Sequence, residues 1–193
     1  ADDIARRLDD LPADASSELK VNAPKLRGHV ALLKARTALG VEPGKGLADL
    51  EALRKKYGKV PATASSYLVE GRHLAALGRH AEAQARFLAL FKDFTGDATL
   101  SEFAELGLYE AAEEAARQAP VDGEEKLKEA VELLEKFMET YPQSPLLFRV
   151  ALRRAELLRS LGNFDGALLV LNRLIRERSE EHTSELQSPE AIS

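Results

Sequence analysis

The chain has no cysteine, few aromatic residues and no long hydrophobic run. The absence of cysteine from its 193 residues excludes a disulfide framework, a thiolate metal site and a cysteine nucleophile. It leaves the compartment open, since both cytosolic and periplasmic proteins can lack cysteine. No stretch approaches the roughly 18 to 20 consecutive apolar residues of a membrane-spanning helix. The chain begins with alanine rather than methionine, which leaves open whether a signal peptide or lipid anchor preceded it.

What the chain does have is one pattern of small and large apolar residues that occurs four times. Small residues stand at intervals of 37, 47 and 37 positions, and large apolar residues follow four and seven positions after each. The small residues are Gly46, Ala83, Ala130 and Ala167; the two columns that follow are Leu50, Phe87, Leu134 and Leu171, then Leu53, Leu90, Phe137 and Leu174. Such periods are typical of helical-hairpin solenoids. The pattern therefore predicts an all-α chain in which neighbouring hairpins bury each other's apolar faces, with Phe87 and Leu134 central to the packing.

The spacing predicts about four hairpins with short connections. Their approximate ranges are 26–60, 64–96, 99–142 and 145–177, after a partial preceding repeat or irregular helical segment over residues 1–25. Gly78 is predicted to end a helix in the left-handed conformation, and the two prolines of Tyr141–Pro145 to stop the helix before them. We expect a turn at Val41–Lys45. The insertion around Asp122 predicts a longer surface loop.

The columns resemble those of tetratricopeptide repeat proteins of bacterial type, over residues 26–177. The matching residues are Tyr67, Gly71, Leu74, Ala83 and Phe87 in the second repeat, and Ala130, Leu134 and Pro142 in the third. This resemblance implies a right-handed superhelix whose first helices line a concave groove that binds a partner protein. The Tyr141–Pro145 junction resembles repeats of cell-envelope assembly and division-linked proteins.

Residues 178–193 resemble a translated sequencing-library adapter rather than natural protein sequence. The resemblance covers eleven consecutive residues from Arg178, which stands where the other three repeats have Tyr57, Phe94 and Tyr141. We expect that the array was cut there and that its last hairpin exposes Leu171, Leu174 and Ile175. Without this segment the net charge is −2 instead of −5.

Charge is unevenly distributed along the remaining chain. Residues 100–142 carry four basic and twelve acidic side chains, whereas the stretches on either side are mildly basic. We interpret the acidic cluster as a solubilising face; it consists of Glu102, Glu105, Glu110, Glu113 and Glu114. The resemblance places five basic residues at or near the groove: Arg27, Lys34, Arg72, Arg149 and Arg159. A basic groove favours acidic peptides or a free C-terminal carboxylate; the alternative is an ordinary solvated face.

Sequence motifs for phosphate binding, metal binding and hydrolysis are incomplete in this chain. The segment Gly40–Gly46 resembles a phosphate loop but has three residues between its first two glycines and no Ser or Thr after Lys45. His73 and His80 lack a carboxylate spaced to complete a metal site, and no Ser, His and Asp arrangement has a local signature. We expect no nucleic-acid partner, because the natural part is near neutral and its aromatic residues occupy core columns.

The sequence therefore predicts a non-catalytic protein-interaction scaffold that needs no cofactor or metal. It would be a bacterial fragment of a longer protein that binds a peptide segment or helix in a concave groove. Two alternatives stay open: a cell-envelope assembly or division-linked factor, and the repeat region of a larger enzyme or regulator, such as a kinase or transferase. The compartment and the oligomeric state are unknown at this point.

Overall fold

The computed structural model describes Arg6 and residues 17–186 of the chain. These residues form eight α-helices and no strand, so the all-α prediction is confirmed for them. The helices are α1 (Ser17–Val41), α2 (Pro43–Tyr57), α3 (Pro61–Ala76), α4 (His80–Phe94), α5 (Ser101–Asp122), α6 (Glu124–Thr140), α7 (Leu147–Ser160) and α8 (Phe164–Leu186). The chain divides into two compact units, residues 1–111 and 112–193, and the boundary falls within α5.

In the first unit, successive helices pack on one another as a helical repeat requires. Helix α1 contacts α2 and α3, α2 contacts α3, and α3 contacts α4. One apolar cluster joins the first three helices and contains Leu32, Ala35, Leu39, Leu50, Leu53 and Ala62. Phe87 on α4 is also fully buried. These side chains leave water on folding, which is the main source of stability in such arrays.

The second unit repeats this arrangement. Helix α7 contacts both α6 and α8. The central residues Leu134 and Phe137 of α6 and Val150 of α7 are completely buried. Tyr141 directly follows α6 and packs against Phe137. The two ring centroids are 5.4 Å apart in an edge-to-face arrangement. The predicted burial of Phe87 and Leu134 is thus confirmed.

The α3–α4 and α7–α8 hairpins are joined by the same type of turn. Gly78 and Gly162 both have φ of 74°, a left-handed conformation that glycine adopts without a steric penalty. After α3, the Gly78 N–H donates to the carbonyl of Ala75 and the Arg79 N–H to that of Leu74, both at 2.9 Å. The turn at Gly162 has the same two bonds, so both turns are Schellman motifs. The left-handed helix end predicted at Gly78 is confirmed.

The connection after α1 is shorter than predicted. We expected a turn over Val41–Lys45, but α1 continues to Val41 and α2 begins at Pro43, so only Glu42 lies between them. Pro43 can start a helix because its missing N–H would have no intrahelical acceptor there. Gly44, Lys45 and Gly46 consequently lie in the first turns of α2.

The insertion around Asp122 is helical, and the predicted surface loop is wrong. Helix α5 runs through Asp122 and α6 begins at Glu124, so Gly123 alone connects them. The added residues are rich in alanine and glutamate, which are strong helix formers. Pro120 lies in the last turn of α5, where its missing N–H removes a single hydrogen bond. By contrast, α6 ends at Thr140, directly before Tyr141–Pro145, as predicted.

The structure describes only part of the two terminal segments for which we made predictions. Residues 17–25 belong to α1, whereas most of the segment at residues 1–16 lies outside the description. Residues 178–186 of the adapter-like tail continue α8, and residues 187–193 are not among the residues that the structure describes. Ile175 is exposed as expected, but Leu171 is only half-exposed and Leu174 is buried, because its column faces the hairpin's own interior.

Candidate peptide-binding surface

The five predicted groove residues lie on three helices in the two units. Arg27 and Lys34 are half-buried on α1, seven residues apart and hence on one face of that helix. Arg72 is exposed on α3. Arg149 and Arg159 are exposed near opposite ends of α7, in the other unit. Each unit therefore carries its own part of the predicted set.

Arg72 is paired with an acidic residue of the same unit. Its Nη2 lies 2.7 Å from Oε1 of Glu110 on α5, and its Nε donates to the same oxygen at 3.2 Å. In the second unit, Arg153 of α7 binds both oxygens of Glu113 on α5: Nε donates to Oε1 at 2.8 Å and Nη2 to Oε2 at 3.2 Å. The uneven charge distribution in the sequence thus produces ion pairs between helices.

This pairing corrects our interpretation of the acidic cluster as a solvated face. Glu110 and Glu113 are both half-buried, and Glu114 is buried beside Arg117, with which it forms an ion pair. Only Glu102 of the cluster is exposed, while Glu105 is half-buried. The sequence of α5 alone did not indicate the pairs of Glu110 and Glu113, because their basic partners, Arg72 and Arg153, lie in distant parts of the sequence.

Lys34 lines a pocket at the end of the α1–α2 pair. The pocket has a volume of about 610 Å³, within the usual range for ligand sites. Its lining combines apolar and charged side chains: Leu33, Lys34, Thr37, Ala38, Val41, Glu42, Lys45 and Asp49. Leu33 and Val41 are exposed there. Two lysines balance two carboxylates, so the pocket offers both apolar contact and separate positive and negative groups.

A buried ion-pair network joins α2, α3 and α4, and the sequence analysis missed it. Glu70 of α3 is buried; its Oε2 lies 2.5 Å from Nη2 of Arg54, and its Oε1 lies 2.9 Å from Nε of Arg86. Arg54 also donates to the Ser66 hydroxyl at 3.3 Å and lies over the ring of Tyr67, 4.7 Å from its centroid. Two arginines compensate the desolvated carboxylate, so the network ties three helices together.

Tyr67 adds a hydrogen bond between α3 and α4. Its hydroxyl donates to Oδ2 of Asp93 at 2.5 Å. Burial, together with this bond to a carboxylate, raises the pKa of Tyr67 to about 12. The phenol is therefore a stable hydrogen-bond donor and not a group that exchanges protons near neutral pH.

The segment that resembled a phosphate loop has a packing role. Gly46 is buried in α2, and a Cβ at this position would collide with the backbone of Leu39 on α1. Glycine therefore replaces the alanine of the other repeats because the one-residue connection brings the two helices unusually close. Lys45 lies on α2 and lines the pocket; it does not belong to a glycine-rich loop.

No group of three or more His, Asp or Glu side chains in the described part of the chain is arranged to hold a metal ion. His73 is half-buried on α3, and His80 is half-buried at the start of α4. Within the same residues, no helix combines the length and the apolar character needed to cross a membrane. Comparison with known proteins gives no match to a family model, a curated protein or a solved structure.

Proposed function

We propose that this protein is a protein-interaction module that binds a peptide segment of another protein at the α1–α2 pocket. The pocket of about 610 Å³ carries the proposal, because exposed Leu33 and Val41 stand beside Lys34 in one concave site. An apolar peptide side chain would contact Leu33 and Val41. An acidic side chain or a terminal carboxylate would pair with Lys34, as the sequence-based hypothesis of an acidic partner requires.

The architecture we propose is the right-handed tetratricopeptide-type superhelix that the sequence resembles. Support comes from the adjacent packing of successive helices and from the two identical Schellman turns at Gly78 and Gly162. In such an array the first helices line the binding face, and α1 with Lys34 is one of them. Arg72, which pairs with Glu110, contributes less to a basic groove than its sequence position indicated.

A selected peptide tests the pocket directly. Twelve-residue peptides would be selected from a display library on the full chain, and their affinities measured by fluorescence polarisation. We expect Leu33→Glu and Lys34→Glu each to weaken binding by about tenfold, since each removes one class of contact. Lys92→Glu, at an exposed position of α4, makes the same charge change outside the pocket and should leave affinity unchanged.

The composition of the selected peptides gives a second criterion. We expect them to combine an acidic residue with a large apolar one. Peptides that bind Lys34→Glu and Lys92→Glu with equal affinity would show that the pocket is not the site. Peptides without acidic residues would contradict the predicted acidic partner while leaving the pocket in place.

A further inference from the structure

The pocket between α1 and α2 contains a half-buried carboxylate that has no partner among the described residues. It belongs to Asp49 of α2. Of the buried or half-buried carboxylates in the described part of the chain, Asp49 alone forms no hydrogen bond or ion pair. Glu70, Asp97, Glu129 and four glutamates of α5 each interact with another group. A carboxylate that has lost water without gaining a partner favours a cation from outside the chain.

Neither lysine of the pocket neutralises this carboxylate. Lys45 precedes Asp49 by four positions on α2, a spacing at which opposite charges on a helix can pair. Glu51 and Lys55 of the same helix do so at 2.6 Å. Lys45 and Lys34 both belong to the described residues, and neither forms an ion pair with Asp49. The exposed carboxylate of α2 is thus paired along the helix, whereas the half-buried one faces the pocket unpaired.

Asp49 and Lys34 line the pocket from different helices at nearly the same level. The one-residue connection makes α1 and α2 antiparallel, and the close approach of Gly46 to Leu39 fixes their register. Asp49 lies three residues beyond Gly46, which places it level with Arg36 on α1. Lys34 is two residues from that level, or about 3 Å along the helix axis. Here the pocket therefore presents an ammonium group from α1 and a carboxylate from α2.

This arrangement restricts the order of charges in a bound peptide. Successive side chains of an extended peptide point to opposite sides. In a segment that runs along the pocket, one side chain is directed to α1 and the next to α2. When an acidic residue pairs with Lys34, its neighbour in the peptide sequence is directed to Asp49. A lysine or arginine is the complementary residue at that neighbouring position.

We propose that the α1–α2 pocket recognises an extended segment of another protein in which an acidic residue and a lysine or arginine are sequence neighbours. The acidic residue pairs with Lys34 and the basic residue with Asp49. This inference rests on the peptide binding proposed above, and it adds a second charge and its position to that function. Glu42, the other carboxylate of the pocket, is exposed, so water screens an ion pair there more strongly.

Two display libraries of twelve-residue peptides test the proposal on the full chain. Each peptide has one glutamate and one lysine, either as sequence neighbours or two positions apart, and only uncharged residues elsewhere. Affinities would be measured by fluorescence polarisation. We expect the best binders with neighbouring charges to bind about tenfold more tightly, because a lysine two positions away points to the same helix as the glutamate. Equal affinities from the two libraries would overturn the proposal.

Substitutions on both sides of the contact identify the partner of the peptide lysine. Asp49→Asn should weaken binding of the best peptide about five- to tenfold, and replacing its lysine by methionine should remove the effect of Asp49→Asn. Glu51→Gln removes a charge from the same helix outside the pocket and should leave affinity unchanged. Circular dichroism would check that both variants fold. An Asp49→Asn effect that persists with the methionine peptide would contradict the assigned pair.

The outcomes separate this inference from the proposed function. If Leu33→Glu and Lys34→Glu weaken binding but Asp49→Asn does not, the pocket binds peptides and the basic residue is wrongly assigned. The same conclusion follows if the unrestricted library yields binders and neither charged library does. If no library yields a peptide that depends on Leu33 and Lys34, the proposed function fails and this inference fails with it.

Discussion

The α3–α4 and α7–α8 hairpins share a turn and a register but fill their interiors differently. In the first, the ring of Phe87 lies against Gly71, where an added Cβ would come within 2.5 Å of a ring carbon. In the second, the corresponding positions hold the smaller Leu171 and an alanine, Ala155. A large residue with glycine is thus replaced by a medium residue with alanine. Residue type thus differs between these two pairs of positions, while the combined volume of the two side chains is similar.

The largest expected difference between the hairpins comes from removing the central column residue. Phe87→Ala should lower the free energy of unfolding by about 3 to 5 kcal/mol, because the ring is fully buried. Leu171→Ala should cost only about 1 to 2 kcal/mol, because Leu171 is half-exposed. Urea titration followed by circular dichroism at 222 nm would measure both. A loss below about 1 kcal/mol for Phe87→Ala would show that the column assignment is wrong.

The ion pairs made by the first helix of each hairpin provide the second comparison. Glu70→Ala should cost about 3 kcal/mol, since it leaves Arg54 buried without its carboxylate. The counterpart of Glu70 is Arg154, which pairs with Glu135 of α6 at 2.8 Å. Glu135 is half-exposed, so Glu135→Ala should cost at most about 1 kcal/mol. Equal losses in urea titrations of the two variants would mean that burial does not set the strength of these pairs.

The exchange of volume between Gly71 and Phe87 predicts a coupled effect. Gly71→Ala should destabilise the wild-type protein by about 1 to 3 kcal/mol through overpacking. In a Phe87→Leu background, which reproduces the pairing of Leu171 with Ala155, the same change should be neutral or stabilising by up to about 1 kcal/mol, because alanine favours the helix. A double-mutant cycle from thermal or urea unfolding gives the coupling energy. Additive effects would refute volume compensation between these two positions.

The smallest expected difference concerns alkaline pH. The hydrogen bond from Tyr67 to Asp93 belongs to α3–α4 alone, because Ala151 occupies the corresponding position on α7. The pKa of Tyr67 is raised to about 12 in the fold, above the usual tyrosine value of about 10. The stabilisation is therefore present in full below about pH 10 and is lost as the pH rises towards 12.

Tyr67→Phe should remove this loss of stability, and Tyr57→Phe serves as the control that keeps the Tyr67–Asp93 bond. Spectrophotometric titration at about 295 nm should show a late-ionising phenol in the wild type and in Tyr57→Phe but not in Tyr67→Phe. A titration curve that is the same in all three proteins would contradict the assignment to Tyr67.

Features with a local physical cause could be predicted from the sequence. The apolar columns placed Phe87 and Leu134 in the core, because period and face follow directly from helix geometry. The left-handed end at Gly78 followed from the conformational freedom of glycine. A local sequence signal gave a wrong prediction where the neighbouring residues favour a helix. The insertion around Asp122 indicated a loop, but the surrounding Ala- and Glu-rich sequence extends α5 through Pro120 to Asp122.

Features that depend on contacts between distant residues could not be predicted from the sequence. The ion pairs of Glu110 with Arg72 and of Glu113 with Arg153 join residues about 40 positions apart. A single helix gives no information on which carboxylates are desolvated by a neighbour. The pocket beside Lys34 depends on the one-residue connection at Glu42, which the expected turn at Val41–Lys45 did not anticipate.

The connection at Glu42 also bears on the order in which the chain folds. A single linking residue makes the entropy lost on closing the α1–α2 pair small, and contacts between sequence neighbours form faster than distant ones. The close approach of Gly46 to Leu39 can therefore form before the network around Glu70 is assembled. In pulsed hydrogen exchange during refolding, we expect the amides of α1 and α2 to gain protection earlier than those of α4.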